Sequence, residues 1–241
     1  MVTGGAAGIG GAVAARLAAE GADVLIADRD AAVGRATAAR LGAEFVEVDL
    51  SSLDDVRAMM RAAGSLDVLV NNAGGVVEPR YPASPADHWL RMLDLNLRGV
   101  MLSTQLAVEA MGRGGAIVNV ASSAGLGFAA HGVPEYAVAK AGVLRLTACL
   151  APLADSHGIR VNCVCPDLTD TPSSHRGRAG MTPAQLAAAP EAMPAEEVAD
   201  AVAILLTDDS LAGRVLVCKT SAPRRVLLPP TGWEDYVTRL L

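Results

Sequence analysis

Two clusters in this 241-residue chain carry chemically useful side chains at fixed spacing: Ser122-Ser123-Ala124-Gly125, and Tyr136-Ala137-Val138-Ala139-Lys140. On a helix, a tyrosine and a lysine four positions apart lie one turn apart on the same face. A tyrosine hydroxyl has an ordinary pKa of about 10, too high for an efficient proton acceptor near neutral pH. A neighbouring ammonium favours the phenolate and lowers that value. A serine delivered from the end of a preceding strand hydrogen-bonds the reacting oxygen and orients it. Together the three groups make an acid–base unit. A Tyr-x-x-x-Lys spacing also occurs on exposed helices, so its meaning depends on the elements that present it.

Those elements read as alternating strands and helices. Met1-Val2-Thr3-Gly4-Gly5-Ala6-Ala7-Gly8-Ile9-Gly10 leads into a helical pattern from Ala12 to Ala19. Gly4, Gly8 and Gly10 allow a tight strand-to-helix turn and close approach of a pyrophosphate, which the free N–H groups at the helix start would receive. Ala22 to Ala27 reads as a buried strand ending at Asp28-Arg29. An acidic residue there, about 20 residues beyond the glycines, suits ribose hydroxyls and repels a 2′-phosphate. NAD is therefore expected in preference to NADP, with Arg29 keeping NADP as the alternative.

A helix near Ala31 to Leu41 precedes a strand from Glu44 to Val48, closed by Asp49-Leu50. Ser51 or Ser52 caps a helix running to about Ala63. Leu66 to Val70 is the fourth strand, ending at Asn71-Asn72-Ala73-Gly74, where small residues admit an adenosine ribose and the asparagines tie neighbouring strands. A loop from Pro79 to Pro85 leads into a long helix through Asp94, Asn96 and Met111. Ala116 to Val120 is the fifth strand, feeding the two serines, and Ile159 to Val164 the sixth. A helix from Glu196 to Leu206 and a strand from Arg214 to Val217 follow. This alternation predicts one α/β domain over 1–241, a doubly wound, Rossmann-like parallel sheet in a three-layer sandwich, with ligands at the carboxyl ends of its strands. Segment 169–194 carries Pro172, Pro183, Pro190 and Pro194 with basic His175, Arg176 and Arg178. It is placed to be a substrate lid, the competing reading being a mobile surface loop.

Composition narrows the partners. The chain is 51% hydrophobic and 19% charged with mean hydropathy +0.34, yet no run reaches the roughly 18 apolar residues of a membrane span. A net charge of −6 argues against a nucleic-acid partner. The amino terminus shows no basic stretch followed by an apolar one, so the reading is a cytoplasmic protein without a signal peptide or a membrane partner. Cys149, Cys163, Cys165 and Cys218 suggest neither a disulfide framework nor a zinc site; Cys163 and Cys165 share one strand face and read as core. The four histidines have no ligand spacing, so no metal is expected.

Thr3-Gly4-Gly5-Ala6-Ala7-Gly8-Ile9-Gly10, Asp28, Asp49, Asn71-Asn72-Ala73-Gly74, Asn96, Ser123 and Tyr136-x-x-x-Lys140 occur in order at coherent spacing. Together they resemble the short-chain dehydrogenase/reductase family in its compact single-domain form, over residues 2 to 217. The resemblance implies that Lys140 binds nicotinamide ribose and lowers the Tyr136 pKa, that Ser123 hydrogen-bonds the substrate oxygen, and that Asn96 holds a water in a proton relay toward the lysine. Ser122 is the competing serine; Ser123 stands thirteen residues before the tyrosine, the family's usual interval. Ile9, Leu50, Asn72, Ala73, Pro166, Thr169 and Thr171 complete the implied cofactor contacts, with Thr171 on the carboxamide.

Three departures stand out. Only Met1 and Val2 precede Thr3 where the family has several more residues, so a central strand poor in ladder bonds and core contacts is expected. The family's Pro-Gly after the sixth strand is Pro166-Asp167, whose side chain would crowd the cofactor or strain the backbone. The family's Asp-Gly-Gly ending is replaced by Cys218-Lys219-Thr220 and an atypical tail over 218–241 with Trp233 and Tyr236, so a homodimer is as plausible as a homotetramer. The resemblance implies hydride transfer between a nicotinamide cofactor and a small-molecule secondary alcohol or ketone. Leu126, Phe128, Val133 and the lid suggest a largely apolar pocket for it. The alternative is a dinucleotide-binding sensor or scaffold with little turnover, favoured by the short first strand and Asp167.

Overall fold

A computed structural model of the chain describes residues 1–76, 81–127, 130–220 and 222–227. Phe128, Trp233 and Tyr236 lie outside the described residues. Eight strands form one sheet in the order β3-β2-β1-β4-β5-β6-β7-β8. They are β1 Val2–Thr3, β2 Leu25–Asp28, β3 Glu44–Glu47, β4 Val68–Asn71, β5 Ala116–Val120, β6 Arg160–Pro166, β7 Val215–Cys218 and β8 Arg225–Leu227. The first seven run parallel, and β8 pairs antiparallel with β7. The strand order reverses between β1 and β4, which opens a crevice at their carboxyl ends.

The inner strands are mainly apolar because helices cover both faces, whereas the edge strands β3 and β8 are partly or wholly exposed. Side chains alternate between two cores. Val2, Ile26, Val70, Val118 and Val164 face α1 (Gly8–Ala19) and α10 (Ala195–Thr207). Ala27, Leu69, Ile117 and Val161 face α3 (Leu53–Ala63) and α5 (Gly99–Ala110). The remaining helices are α2 Ala31–Leu41, α4 Ala86–Leu93, α6 Pro134–Cys149, α7 Leu153–His157, α8 Pro172–Arg178 and α9 Pro183–Ala188. Cys163 and Cys165 are buried in the core between β6 and α6. Among the described residues no helix is long and apolar enough to cross a membrane.

The central strand is as short as expected. β1 has two residues and one register pair to β4, Val2 with Val70. Thr3 reinforces it: its Oγ1 accepts the N–H groups of Asn72 and Ala73 at 3.0 and 3.1 Å, and Asn72 Nδ2 donates to Thr3 O and Gly4 O. The Met1 amino group donates to Val68 O at 2.8 Å. Segment 169–194 is not a featureless loop. It folds into α8 and α9, each opened by a capping box, Thr171 with Ser174 and Thr182 with Gln185, and Thr169 bridges Met193 to join its ends.

Candidate active site

The site forms where β1, β4, β5 and β6 end. Its scaffold is a buried polar ladder. Asn71 Nδ2 donates to Thr104 Oγ1 and Asn119 Oδ1, both at 2.9 Å, and Ser103 Oγ donates to Asn71 Oδ1 at 2.7 Å. Asn119 Nδ2 in turn reaches Thr147 Oγ1 at 3.0 Å. These bonds pin α5 and α6 to β4 and β5, because each buried amide left unpaired would carry its full desolvation cost. The asparagine ties expected between strands are thus present, and they reach the helices too.

Pro134 starts α6 with its fixed φ and no donor to satisfy, placing Tyr136 in the first turn and Lys140 one turn on. Lys140 is buried, its Nζ donating to Val120 O at 2.9 Å and lying 5.7 Å from the Tyr136 ring centroid. Burial pushes the ammonium down to about 8, with Cys163 and Cys165 opposing. Burial also raises the Tyr136 hydroxyl above its ordinary value, outweighing the Ser122 side chain that pulls it down. The lowering expected of Tyr136 is therefore not what this environment gives: desolvation of the phenolate wins.

Asn96 is fully buried in a π-helical turn, Asp94–Arg98, that joins α4 to α5. Such a turn re-aims one side chain within an otherwise regular helix. Its Oδ1 accepts Gly75 N–H at 2.9 Å, and its Nδ2 donates to Gly75 O at 2.9 Å and Met92 O at 3.0 Å. The side-chain amide therefore positions the loop after β4. A Cβ at Gly74 would lie 2.7 Å from Asn96 Oδ1 and 3.2 Å from Lys140 Nζ, so only glycine lets this strand end enter between them.

The serines diverge. Ser122 caps a 3₁₀ turn, Ser123–Gly125, by accepting Ala124 N–H, and lies beside Tyr136. Ser123 Oγ donates to Asp167 Oδ1 at 3.1 Å, a contact the sequence did not disclose. Asp167 N–H extends the ladder from β6 to Cys218 O at 2.9 Å, while its side chain accepts from Ser123 and from Leu168 N–H.

The glycine-rich turn suits a dinucleotide phosphate. A Cβ at Gly10 would lie 2.1 Å from Gly4 O, so the backbones touch as closely as chemistry permits. The α1 N-cap, Ala7, makes no side-chain cap and the first turn has no acidic residue, leaving N–H groups and the dipole end for an anion. Asp28 braces the turn: its Oδ2 accepts Ala6 N–H at 3.1 Å and its Oδ1 accepts Asp30 N–H at 3.0 Å. Burial alone would raise the Asp49 carboxyl, but hydrogen bonds from Ser51 and the charges of Arg91 and Arg29 hold it below its usual range. Arg29 is exposed beside this pair of carboxylates. Thr171 and Pro172 lie over Gly8, bringing the start of segment 169–194 onto the turn. Val133 is buried and Leu126 half-buried against the β6–α6 core.

Three comparisons bear on this arrangement. The sequence profile of the short chain dehydrogenase family matches residues 1–181. A cis-4-hydroxycyclohexanecarboxylate dehydrogenase of Sinomonas cyclohexanicum is 41% identical over 222 residues, covering 86% of this chain and 88% of that protein. The 3beta-hydroxysteroid dehydrogenase 2 of Eggerthella lenta is 35% identical over 231 residues, covering 87% and 88%. Among solved structures, a short chain dehydrogenase from Burkholderia cenocepacia J2315 in complex with NADP superposes with a TM-score of 0.78 at 31% identity, covering 90% of this chain and 94% of that one.

Proposed function

The chain belongs to the short-chain dehydrogenase family, oxidoreductases of hydroxyl and carbonyl groups that use a nicotinamide cofactor, and from that premise we propose that Tyr136, Lys140 and Asn96 serve hydride transfer on a ring-borne secondary alcohol or its ketone, with Ser122, the serine beside Tyr136, taking the role expected of Ser123, which pairs with Asp167 instead. The observation that carries this reading is the pairing of half-buried Tyr136 with buried Lys140 one turn apart on α6, the ammonium 5.7 Å from the tyrosine ring centroid.

The cofactor, when bound, supplies or accepts the hydride. The chain's own residues do the rest. Gly4, Gly8, Ile9 and Gly10 with the α1 N-terminus hold its phosphates; Asp28 takes the adenosine ribose; Asp49, Leu50, Asn72, Ala73 and Gly74 flank the adenosine side. Pro166, Thr169 and Thr171 hold the nicotinamide end with Tyr136 and Lys140. Tyr136, kept protonated by its burial, is a proton donor toward a carbonyl oxygen. In the reverse direction its oxygen takes the alcohol proton, and Lys140 is the cation that stabilises the phenolate. Asn96 fixes the loop that carries Gly75, which keeps Gly74 against Lys140.

The named substrates of the two relatives share a hydroxyl on a saturated ring, which supports that choice of substrate class. Segment 169–194 is the lid over it, and the apolar outer face of α5 and α6 receives a second copy of the chain. Asp28 favours NAD, whereas exposed Arg29 and the NADP complex of the Burkholderia protein are what support NADP. Calorimetric titration decides between them. Binding of NADH at least tenfold tighter than NADPH is expected; equal or tighter NADPH binding makes Arg29 the selector. Failure to bind either cofactor contradicts the reading.

A further inference from the structure

We propose that the Asp167 carboxylate selects the redox state of the cofactor: it is a fixed negative charge beside the seat of the nicotinamide ring, and it makes the site hold the oxidised cofactor, whose ring is a cation, in preference to the reduced one, whose ring is neutral. The inference rests on the reading that puts Pro166, Thr169 and Thr171 at the nicotinamide end with Tyr136 and Lys140. Asp167 takes no proton and no hydride in it.

The strand determines where the carboxylate sits. Residues two apart on a strand share a face. Cys163 and Cys165 face α6. Asp167, whose N–H continues the ladder to Cys218 O at 2.9 Å, takes the next position of that alternation. Lys140 reaches the same rim from α6, its Nζ donating to Val120 O at the end of the neighbouring strand β5. The Cys165 thiol responds to both charges: burial pushes it up most, Asp167 adds to that rise, and Lys140 opposes it. Two contacts hold the carboxylate against the end of β5 and the chain that follows β6. Ser123 Oγ donates to Oδ1 at 3.1 Å, and Leu168 N–H donates to the same oxygen at 2.9 Å. Ser123 is in turn the chain neighbour of Ser122, which lies beside Tyr136. Asp167 Oδ2 has no donor among the described residues, yet it is not sealed in the core.

Hydride transfer needs the ring close to the groups that serve the reacting oxygen, at this rim of the sheet. A carboxylate there attracts a ring cation and gains nothing comparable from a neutral ring. Half-burial weakens the screening that water and salt would impose. The riboses and pyrophosphate are common to both forms, so their contacts cancel in the ratio of the two dissociation constants. Lys140 acts in the opposite sense, and its charge stays in place when Asp167 is changed.

Calorimetry on the whole chain gives Kd for the oxidised and the reduced cofactor, in whichever pair, NAD⁺/NADH or NADP⁺/NADPH, wild type binds more tightly. Asp167→Asn keeps the shape and an oxygen for Ser123 and Leu168 while removing the charge. Its affinity for the oxidised form should fall about fivefold or more, with that for the reduced form within about twofold of wild type. Asp167→Gly should move the ratio in the same direction, which keeps the test open if the asparagine variant does not fold by circular dichroism. Ser123→Ala leaves the carboxylate and should hold the ratio within about twofold, separating the charge from the hydrogen bond. An unchanged ratio in the Asp167 variants, or loss of both forms together, contradicts the inference and leaves the enzyme reading standing. Wild type that binds neither pair contradicts the enzyme reading, and this inference with it.

Discussion

Lys140 shows how a buried charge leaves its mark on stability. Burial holds its ammonium at about 8, against 10.5 for the ordinary side chain. Between those values the unfolded chain binds a proton that the folded chain has released, so stability rises with pH across that window. Below about 8 both states hold the proton and the whole cost of the buried cation is present. In Lys140→Met the cost is gone, so the variant's stability relative to wild type should drop by about 2 kcal/mol between pH 7.5 and pH 10. Cys163, pushed up to about 12 by burial, works in the opposite sense above pH 9, but it is common to both proteins and cancels. Urea unfolding at the two pH values checks this; a pH-independent difference would contradict the burial of the charge. At this scale the reactive residue types were legible at their spacing, and their partners were not. Ser123 meets a carboxylate 44 positions away only because the ends of β5 and β6 lie side by side, and no local pattern encodes that. The Asn96 amide is likewise fixed by Gly75, in a loop that precedes it by 21 residues.

Elements were legible where the chain punctuates itself. The α2 bounds follow from an Asp30 cap and a left-handed Gly42, and β5 from an apolar run interrupted by Asn119 alone. The start of β2 was drawn too early: Ala22 N–H returns to Leu17 O to close α1, so the strand begins at Leu25. The π turn at Asn96 leaves no mark because it alters helical phase by one residue within a continuous apolar pattern. The Thr182-x-x-Gln185 capping box was a usable sign of α9, hidden by the prolines around it. β8 is a three-residue exposed edge strand with no alternation to read. The outer faces of α5 and α6 make their own prediction. Met101 is 48% exposed and Val138 61%, and Met101, Leu102, Val108, Leu146, Leu150 and Leu153 line an apolar groove of about 540 Å³. With a second copy covering this face, Met101→Glu combined with Val138→Glu should halve the mass seen by light scattering. A wild-type protein that is already monomeric at micromolar concentration would contradict that assembly.

The whole molecule was the most legible level, because strand–helix alternation with short connections leaves few arrangements other than a doubly wound sheet. Its switch point between β1 and β4 gathers residues from the first, fourth, fifth and sixth strands into one crevice, and the chain's chemistry depends on that convergence. The short β1 and Asp167, which in the sequence favoured a silent cofactor-binding protein, take on definite places here: Thr3 ties β1 to the loop after β4, and Asp167 holds Ser123. The measurement that reaches the central claim most directly is oxidation of a ring secondary alcohol by wild type and Tyr136→Phe, with cofactor affinity measured alongside. Hydride transfer assisted by Tyr136 predicts a loss of at least about a thousandfold in kcat, in the range of general acid–base catalysis, with cofactor affinity within threefold. Equal turnover by the two proteins, or tight cofactor binding by wild type with no turnover across a panel of ring alcohols with their ketones, would contradict it.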